Sequence, residues 1–172
     1  MAIILRDVEL GDVDAYFAMR CDPAMMTDLG GPLPRDGIAA KVERDVTAAL
    51  NDESWILMIV PDEKDLTTVA GSLFLWMHEQ DGETISEIGW MVLPKFQGRG
   101  LGKTSVRILL KQARDDGRWG IIHAFPVTTS EASNGICRSL GFTLLGQQDV
   151  QFADRTLKSN HWVIEPALAL LD

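Results

Sequence analysis

The sequence is poor in cysteine, with only Cys21 and Cys137 among its 172 residues. Neither belongs to a CxxC pair or to a cysteine–histidine spacing typical of zinc, which excludes a disulfide scaffold and a structural zinc site. We predict no other metal site, because His78, His123 and His161 share no ligand spacing. Two isolated thiols, and a start that lacks a basic segment before its apolar residues, predict a cytoplasmic location.

Long apolar runs are lacking as well, and none reaches the roughly 18 to 20 residues that a membrane-spanning helix needs. Positive charge is scarce: 16 Lys and Arg stand against 25 Asp and Glu, for a formal net charge of −9. A nucleic-acid-binding protein needs a cationic face to neutralise phosphates. We therefore expect neither a membrane nor a nucleic acid as partner, and an acidic chain suits ligands that carry amines.

What is present is the composition of an ordinary globular fold, with 46% hydrophobic and 24% charged residues. No repeat, low-complexity tract or long linker divides the chain. The length suits one hydrophobic core. We predict a single domain over residues 1–172.

The first half of the chain predicts a short strand, two helices and then three strands. By hydrophobic periodicity and turn residues, the strands cover 2–6, 54–60, 69–77 and 84–93, and the helices cover 13–20 and 36–50. Short polar connections between the last three strands are typical of an antiparallel meander.

In the second half, helices alternate with strands. We predict helices over 100–116 and 128–140, and strands over 119–125, 142–148 and 161–164. Thr128 and Glu131 match a capping box, with Thr128 as the N-cap. A meander followed by alternating strands and helices predicts an α/β (α+β) fold, in which helices pack on the faces of a mixed sheet.

A glycine-rich turn stands between the strand 84–93 and the following helix. It consists of Gln97, Gly98, Arg99, Gly100, Leu101, Gly102 and Lys103. Glycines let the backbone approach a ligand closely, and the free N–H groups at a helix start favour an anion such as phosphate.

Three motifs compete for this turn. A P-loop requires glycine where Gln97 stands, and a dinucleotide fingerprint requires glycine at Lys103 or Ser105, depending on where it starts. The pattern that fits is Gln/Arg-x-x-Gly-x-Gly/Ala, formed by Gln97, Gly100 and Gly102. The alternative that the turn merely joins a strand to a helix stays open here, because short motifs recur by chance.

Residues 87–103, EIGWMVLPKFQGRGLGK, resemble the acetyl-CoA-binding core of the GNAT N-acetyltransferase family. The later SLGF at 139–142 is similar to the ending of a family helix, and ASN at 132–134 is similar to the ribosomal-protein alanine acetyltransferase subgroup. The resemblance implies a mostly antiparallel sheet of about six or seven strands with helices on both faces. It also implies acetyl-CoA as co-substrate, without a metal.

The resemblance also implies how the coenzyme is held. The backbone of the turn binds the pyrophosphate, while the neighbouring strand pairs with the pantetheine arm between two splayed strands. A backbone amide near Val92 polarises the thioester carbonyl. The residues assigned to coenzyme binding are Trp90, Met91, Val92, Gln97, Gly98, Arg99, Gly100, Leu101, Gly102, Lys103, Ser130 and Asn134.

Acetyl transfer needs the acceptor amine as its free base. An amine with a pKa of about 10.4 is about three units above neutral pH, which costs about 4 kcal/mol unless a base removes the proton. Glu87 resembles the strand-borne glutamate base of the family. An exposed glutamate without a role is the alternative, and Glu83 and Glu131 are weaker rivals.

The proton donor to the departing thiolate is a departure from the family pattern. Many members carry a tyrosine where this chain has Cys137, and the one tyrosine here is Tyr16. Ser133 or Cys137 substitutes as a catalytic acid, with buried packing as the alternative for Cys137. Ser130 replaces a frequent asparagine at the helix start and Asn134 lies four residues on. For both residues two roles stay open: a hydrogen bond to the pantetheine arm, or a place in the N-terminal cap of the helix.

We predict an acetyl-CoA-dependent N-acetyltransferase that acts on a primary amine by direct attack in a ternary complex. The amine belongs to a small molecule, an antibiotic or a peptide N-terminus, and family members often form homodimers. A non-catalytic acyl-CoA sensor or partner-binding module of the same fold is the alternative. An enzyme with a longer acyl donor is a weaker one.

Overall fold

Seven β-rich segments form one sheet in a computed structural model that describes residues 2–172. The strands are β1 Ile4–Asp7, β2 Ser54–Val60, β3 Gly71–Gln80, β4 Glu83–Val92, β5 Ile122–Ala124, β6 Thr143–Phe152 and β7 Arg155–Ile164. Their order in the sheet is β1-β2-β3-β4-β5-β7-β6. Neighbours are antiparallel except β4 and β5, which run parallel.

Four α-helices cover this sheet: α1 Val13–Arg20, α2 Ile38–Leu50, α3 Leu101–Asp116 and α4 Glu131–Ser139. In β2, the five consecutive residues 56–60 are all buried. Because successive side chains of a strand point to opposite faces, burial of the whole run means that both faces of the sheet are covered. The mixed, mostly antiparallel sheet with helices on both faces confirms the predicted fold class.

Helix α4 begins later than its sequence predicts. The capping-box prediction with Thr128 as N-cap is wrong: Ser130 is the N-cap, and its Oγ accepts a hydrogen bond of 3.4 Å from the Ser133 N–H. The Thr128 N–H instead donates to the Lys158 carbonyl, and Val127 forms a bridge with Ser159. Pairing with β7 thus holds this segment extended, which overrides the local capping signal.

Strands in the second half also differ in length from their prediction. β5 covers only three residues, because Trp119 leaves the sheet and its carbonyl accepts a hydrogen bond from Ser86 Oγ at 2.6 Å. β6 and β7 are longer than predicted and reach ten residues each. Most of their added residues are polar. Apolar alternation is limited to Val150 and Phe152 over the last four residues of β6, which is too short to predict the hairpin, and cross-strand pairing holds the added residues in place.

Within residues 2–172, no helix has both the length and the apolar character to cross a membrane.

Candidate active site

The sheet opens between its two parallel strands. β4 and β5 are paired only at Ser86–Ile122 and Glu87–His123, although β4 continues to Val92. On its other edge, β4 pairs with β3 along its whole length. The backbone of β4 beyond Glu87 therefore has no strand beside it on the β5 side among the described residues. An open edge of this kind accepts an extended ligand that pairs with the backbone.

Trp90, Met91 and Val92 lie on this open part of β4. Their side chains are half-buried and pack against the core. Side chains of a strand point to the two faces of the sheet, so the backbone of these residues is what lies along the open edge. The carbonyl of Val92, at the end of the strand, accepts a hydrogen bond of 2.8 Å from Gln97 Nε2. The Gln97 side chain thus ties the glycine-rich turn to the end of β4.

The glycine-rich turn leads directly into α3. Gly98 and Gly100 both have a φ of +74°, a left-handed conformation that glycine adopts without the strain of a side chain. The first hydrogen bond of the helix runs from the Thr104 N–H to the Gly100 carbonyl. The N–H groups of residues 101–103 precede that bond and have no acceptor within the helix. Such N–H groups, at the positive end of the helix dipole, favour binding of an anion.

Gly102 serves a different purpose from the two exposed glycines. It is buried, and a Cβ added to it would lie 3.0 Å from Ile136 Cδ1 on α4 and 3.4 Å from Val92 Cγ2 on β4. A side chain would push these elements apart. Glycine at this position lets α3 start close to β4, beside α4.

Glu87 stands where the two strands begin to separate. Its side chain is 16% exposed, and its Oε2 lies 2.5 Å from His78 Nε2 on β3. Burial raises the pKa of the Glu87 carboxyl, and the contact with His78 offsets part of that rise. A carboxylate that is poorly hydrated binds a proton more readily, as a general base must.

A second pair of titratable side chains lies across the opening. His123 Nδ1 on β5 is 2.8 Å from His161 Nε2 on β7, and the Phe125 ring stacks on His161 with centroids 4.6 Å apart. Burial lowers the pKa of both imidazoles. His123 is in register with Glu87, and register partners on neighbouring strands project to the same face. The pair therefore lines the same face of the sheet as Glu87.

Sequence reasoning assigned no role to these histidines. Their partners lie 9 and 38 residues away along the chain, so no short spacing links them. One sequence signal could have found the first contact. The tight turn between β3 and β4 predicts a hairpin, and the alternation of side chains along its strands places His78 and Glu87 on the same face. No cluster of three or more His, Cys, Asp or Glu side chains in residues 2–172 has the arrangement of a metal site.

On α4, the predicted residues have different surroundings. Ser130 caps the helix and Ser133 is half-buried in its first turn. The buried Asn134 donates from Nδ2 to the Val127 and Ser130 carbonyls, and its Oδ1 accepts hydrogen bonds from Asn160 and Trp162. The amide thus has its two donors and its acceptor occupied inside the protein, and these contacts join α4 to β7.

Cys137 is fully buried, and burial raises the pKa of its thiol to about 12. A thiol with that pKa is a poor proton donor to a thiolate whose parent thiol has a pKa of about 8.5. Tyr16 lies elsewhere, where its hydroxyl donates to Asp45 at 2.6 Å and burial raises its pKa. The surroundings of Cys137 favour the packing interpretation over proton donation.

Arg155 at the start of β7 anchors the connection between α1 and α2. Its guanidinium donates to the carbonyl of Leu29 at 2.7 Å, to that of Gly31, and to that of Pro32 at 3.1 Å. This connection and the β6–β7 hairpin are therefore held together.

A family model described as an acetyltransferase (GNAT) domain matches residues 2–143. No match was found among curated proteins. Three solved structures are similar. RimL, a ribosomal L7/L12 alpha-N-protein acetyltransferase in complex with coenzyme A, has 17% identity over 97% of this chain and 96% of that chain, with a TM-score of 0.77. A spermidine N-acetyltransferase chimera from Vibrio cholerae and hSSAT has 15% identity over 97% of each chain, with a TM-score of 0.76. The ribosomal-protein-S5-alanine acetyltransferase from Vibrio fischeri has 12% identity over 96% of this chain and 94% of that chain, with a TM-score of 0.72. At these identities the likeness shows the fold.

Proposed function

The chain belongs to the GNAT family of N-acetyltransferases, and from that premise we propose that it transfers acetyl from acetyl-CoA to a primary amine by direct attack in a ternary complex. The observation that carries this proposal is the position of Glu87. A half-buried carboxylate lies where β4 and β5 begin to separate, on the strand that leads to the glycine-rich turn. One strand thereby connects an anion site to a base.

Acetyl-CoA is the co-substrate in this proposal. The N–H groups of residues 101–103 bind its pyrophosphate, and the left-handed Gly98 and Gly100 leave room for close approach. A Cβ at either glycine would meet no other atom within 4 Å, which supports a turn that is open on its outer side. Arg99 and Lys103 add positive charge beside the phosphates.

The pantetheine arm pairs with the open edge of β4 at residues 90–92. A backbone N–H near Val92 donates to the thioester oxygen and stabilises the negative charge that develops on it. We give Gln97 and Asn134 positioning roles, because the side chain of each is already bonded within the protein. Ser130 and Ser133, at the first turn of α4, stay candidates for contact with the coenzyme.

Glu87 acts as the general base for the amine. Removing the proton from an ammonium with a pKa of about 10.4 costs about 4 kcal/mol at neutral pH, and a raised carboxyl pKa reduces the mismatch between donor and acceptor. The free amine then attacks the carbonyl carbon, and the thiolate departs as the C–S bond breaks. Ser133 is our candidate for donating the proton to that thiolate, in preference to Cys137.

The acceptor is a primary amine of a small molecule or a peptide N-terminus. The similar structures carry the names of enzymes for ribosomal proteins and for spermidine, so the shared fold by itself leaves both classes open. The net charge of −9 suits a cationic acceptor of either class. The homodimer and the cytoplasmic location stay predictions.

The test is thiol release from acetyl-CoA in the presence of spermidine, an aminoglycoside, or peptides that begin with alanine or serine. We expect release with at least one amine, and thermal stabilisation by acetyl-CoA but not by ATP or NAD. If acetyl-CoA raises the thermal stability but no acceptor amine gives thiol release, the result supports the acyl-CoA sensor. The presence of Cys137 where many family members have a tyrosine also favours that alternative. Release from longer acyl-CoA donors alone supports the third alternative.

A further inference from the structure

His78 and Glu87 form a hydrogen-bonded pair, and the proposed reaction assigns a role only to Glu87. His78 lies opposite Ile85 in the β3–β4 register, and Glu87 lies opposite Trp76, so the two are diagonal neighbours on one face of the hairpin. Their side chains are 29% and 16% exposed. The imidazole is therefore the more solvent-accessible member of the pair.

The other contacts of His78 hold the ring in this orientation. The Trp76 ring stacks on it with centroids 5.4 Å apart and planes inclined by 21°. Its Nδ1 lies 3.3 Å from the Glu79 carbonyl at the exposed end of the hairpin, while its Nε2 contacts the carboxylate. One ring nitrogen thus faces the carboxylate, and the other faces the end of the hairpin that is open to solvent.

The proposed reaction releases a proton that needs such a route. An ammonium acceptor and acetyl-CoA give an amide, free coenzyme A and one proton. The C–N bond forms and the C–S bond breaks. The nitrogen loses two protons, and the departing thiolate takes up one of them. The other proton enters at Glu87, which is the less exposed group. It must reach water before the next turnover.

We propose that His78 is the positioning residue of Glu87 and the route by which its proton reaches solvent. The Nε2–H of the imidazolium donates to Oε2 and leaves the second carboxylate oxygen for the amine. One proton enters at that oxygen and one leaves from Nδ1 to water, so the pair holds the same number of protons before and after. Release of the carboxyl proton to water and uptake of one proton from water at Nδ1 then restore the starting form. This proposal rests on the proposed function.

Other titratable groups near Glu87 are the rivals for this role. His123 faces it from β5, His161 stands behind His123 on β7, and Glu83 lies at the exposed start of β4. In contrast to these three groups, His78 is hydrogen-bonded directly to the Glu87 carboxylate. His123 is bonded to His161 instead.

The test compares two variants of the full chain by the pH dependence of kcat/KM for thiol release. In His78→Gln, the side chain still donates a hydrogen bond but cannot titrate. We expect a loss of about tenfold or more at neutral pH. The acid limb of the profile moves to higher pH, because Glu87 remains buried but loses the charge interaction with His78 that lowers its pKa. In His78→Ala, added imidazole restores part of the rate.

Glu79→Gln is the matched control, since it changes a charge next to His78 without touching the Nε2 contact. Thermal stabilisation by acetyl-CoA, unchanged in each variant, shows that the fold is retained. A wild-type pH profile in both His78 variants with no response to imidazole overturns the proposal. So does a shift of the acid limb in His123→Gln that is absent from His78→Gln.

The outcomes also separate this proposal from the proposed function. If the wild-type chain releases no thiol with any amine, the proposed function fails. If Glu87→Gln is as active as wild type, the base assignment fails with it. If wild type is active, Glu87→Gln is inactive and the His78 variants behave as wild type, only the role of His78 fails.

Discussion

Glu87 and His123 are the last register pair of β4 and β5, so the two parallel strands part at the carboxylate. At this pair and the preceding Ser86–Ile122 pair the sheet is continuous, and beyond Glu87 the β4 backbone lies open as far as Val92. The position of the carboxylate and the open edge are therefore products of the same feature. A ligand that pairs with the open edge has its end beside the carboxylate.

Glu87→Gln is expected to lower kcat/KM for acetyl transfer by about 100-fold at neutral pH, because the amide cannot accept the proton of the ammonium. The loss becomes smaller as pH rises, since more of the amine is then free base. Thiol release measured over a pH series checks both statements. Acetyl-CoA affinity stays unchanged, and a variant with wild-type activity at neutral pH excludes Glu87 as the base.

Glu87 is also expected to influence stability in a pH-dependent way. Burial raises its pKa above the ordinary value of about 4.3. A carboxyl with a higher pKa in the folded state contributes stability that is fully present below the unfolded pKa. That contribution is lost as pH rises through the folded pKa. Replacement by glutamine removes this loss. The free energy of unfolding of Glu87→Gln therefore rises relative to wild type as pH increases through this window.

Urea denaturation at about pH 4 and about pH 7 measures this difference. Glu83→Gln, at the exposed start of the same strand, controls for the removal of one carboxylate. A difference between Glu87→Gln and wild type that stays constant with pH, or decreases, contradicts the prediction.

Gly100→Ala is expected to weaken binding of acetyl-CoA and to lower stability by about 1–2 kcal/mol, because alanine is strained in the left-handed conformation. Gly82→Ala is a matched control: Gly82 has a φ of +82° in the β3–β4 turn, and an added Cβ there also meets nothing within 4 Å. Both variants lose comparable stability. Calorimetry with coenzyme A should show weaker binding only for Gly100→Ala, and equal affinities would remove the phosphate role of the turn.

Asn134→Ala is expected to lower the free energy of unfolding by about 2–3 kcal/mol. The substitution leaves the buried Trp162 indole N–H without its partner, and the Val127 carbonyl keeps only its hydrogen bond from the Ser130 N–H. Urea denaturation measures the loss, and Asn51→Ala at the exposed end of α2 should change stability by less than about 0.5 kcal/mol. Folded Asn134→Ala with wild-type stability but greatly reduced acetyl-CoA affinity would instead support direct contact with the coenzyme.

Local patterns in the sequence were sufficient where neighbours along the chain determine the structure. Strand β2 and helix α3 follow from apolar periodicity, and the turn at Gly98 and Gly100 follows from glycines that the left-handed backbone favours. The start of α4 was misassigned at Thr128, because pairing with β7 competes with the cap. The added residues of β6 and β7 are mostly polar, and the alternation at Val150 and Phe152 is too short to predict the full length of the two strands.

By itself the sequence determined the class of fold, the glycine-rich turn at a helix start and the carboxylate ten residues before Gln97, because each depends on residue types at short spacing. Only the tertiary structure decided that His78 contacts Glu87, that His123 contacts His161, and that Asn134 is saturated within the protein. These contacts depend on strand register and on where β4 and β5 part. Register is a property of two paired segments, and no periodicity within either segment contains it.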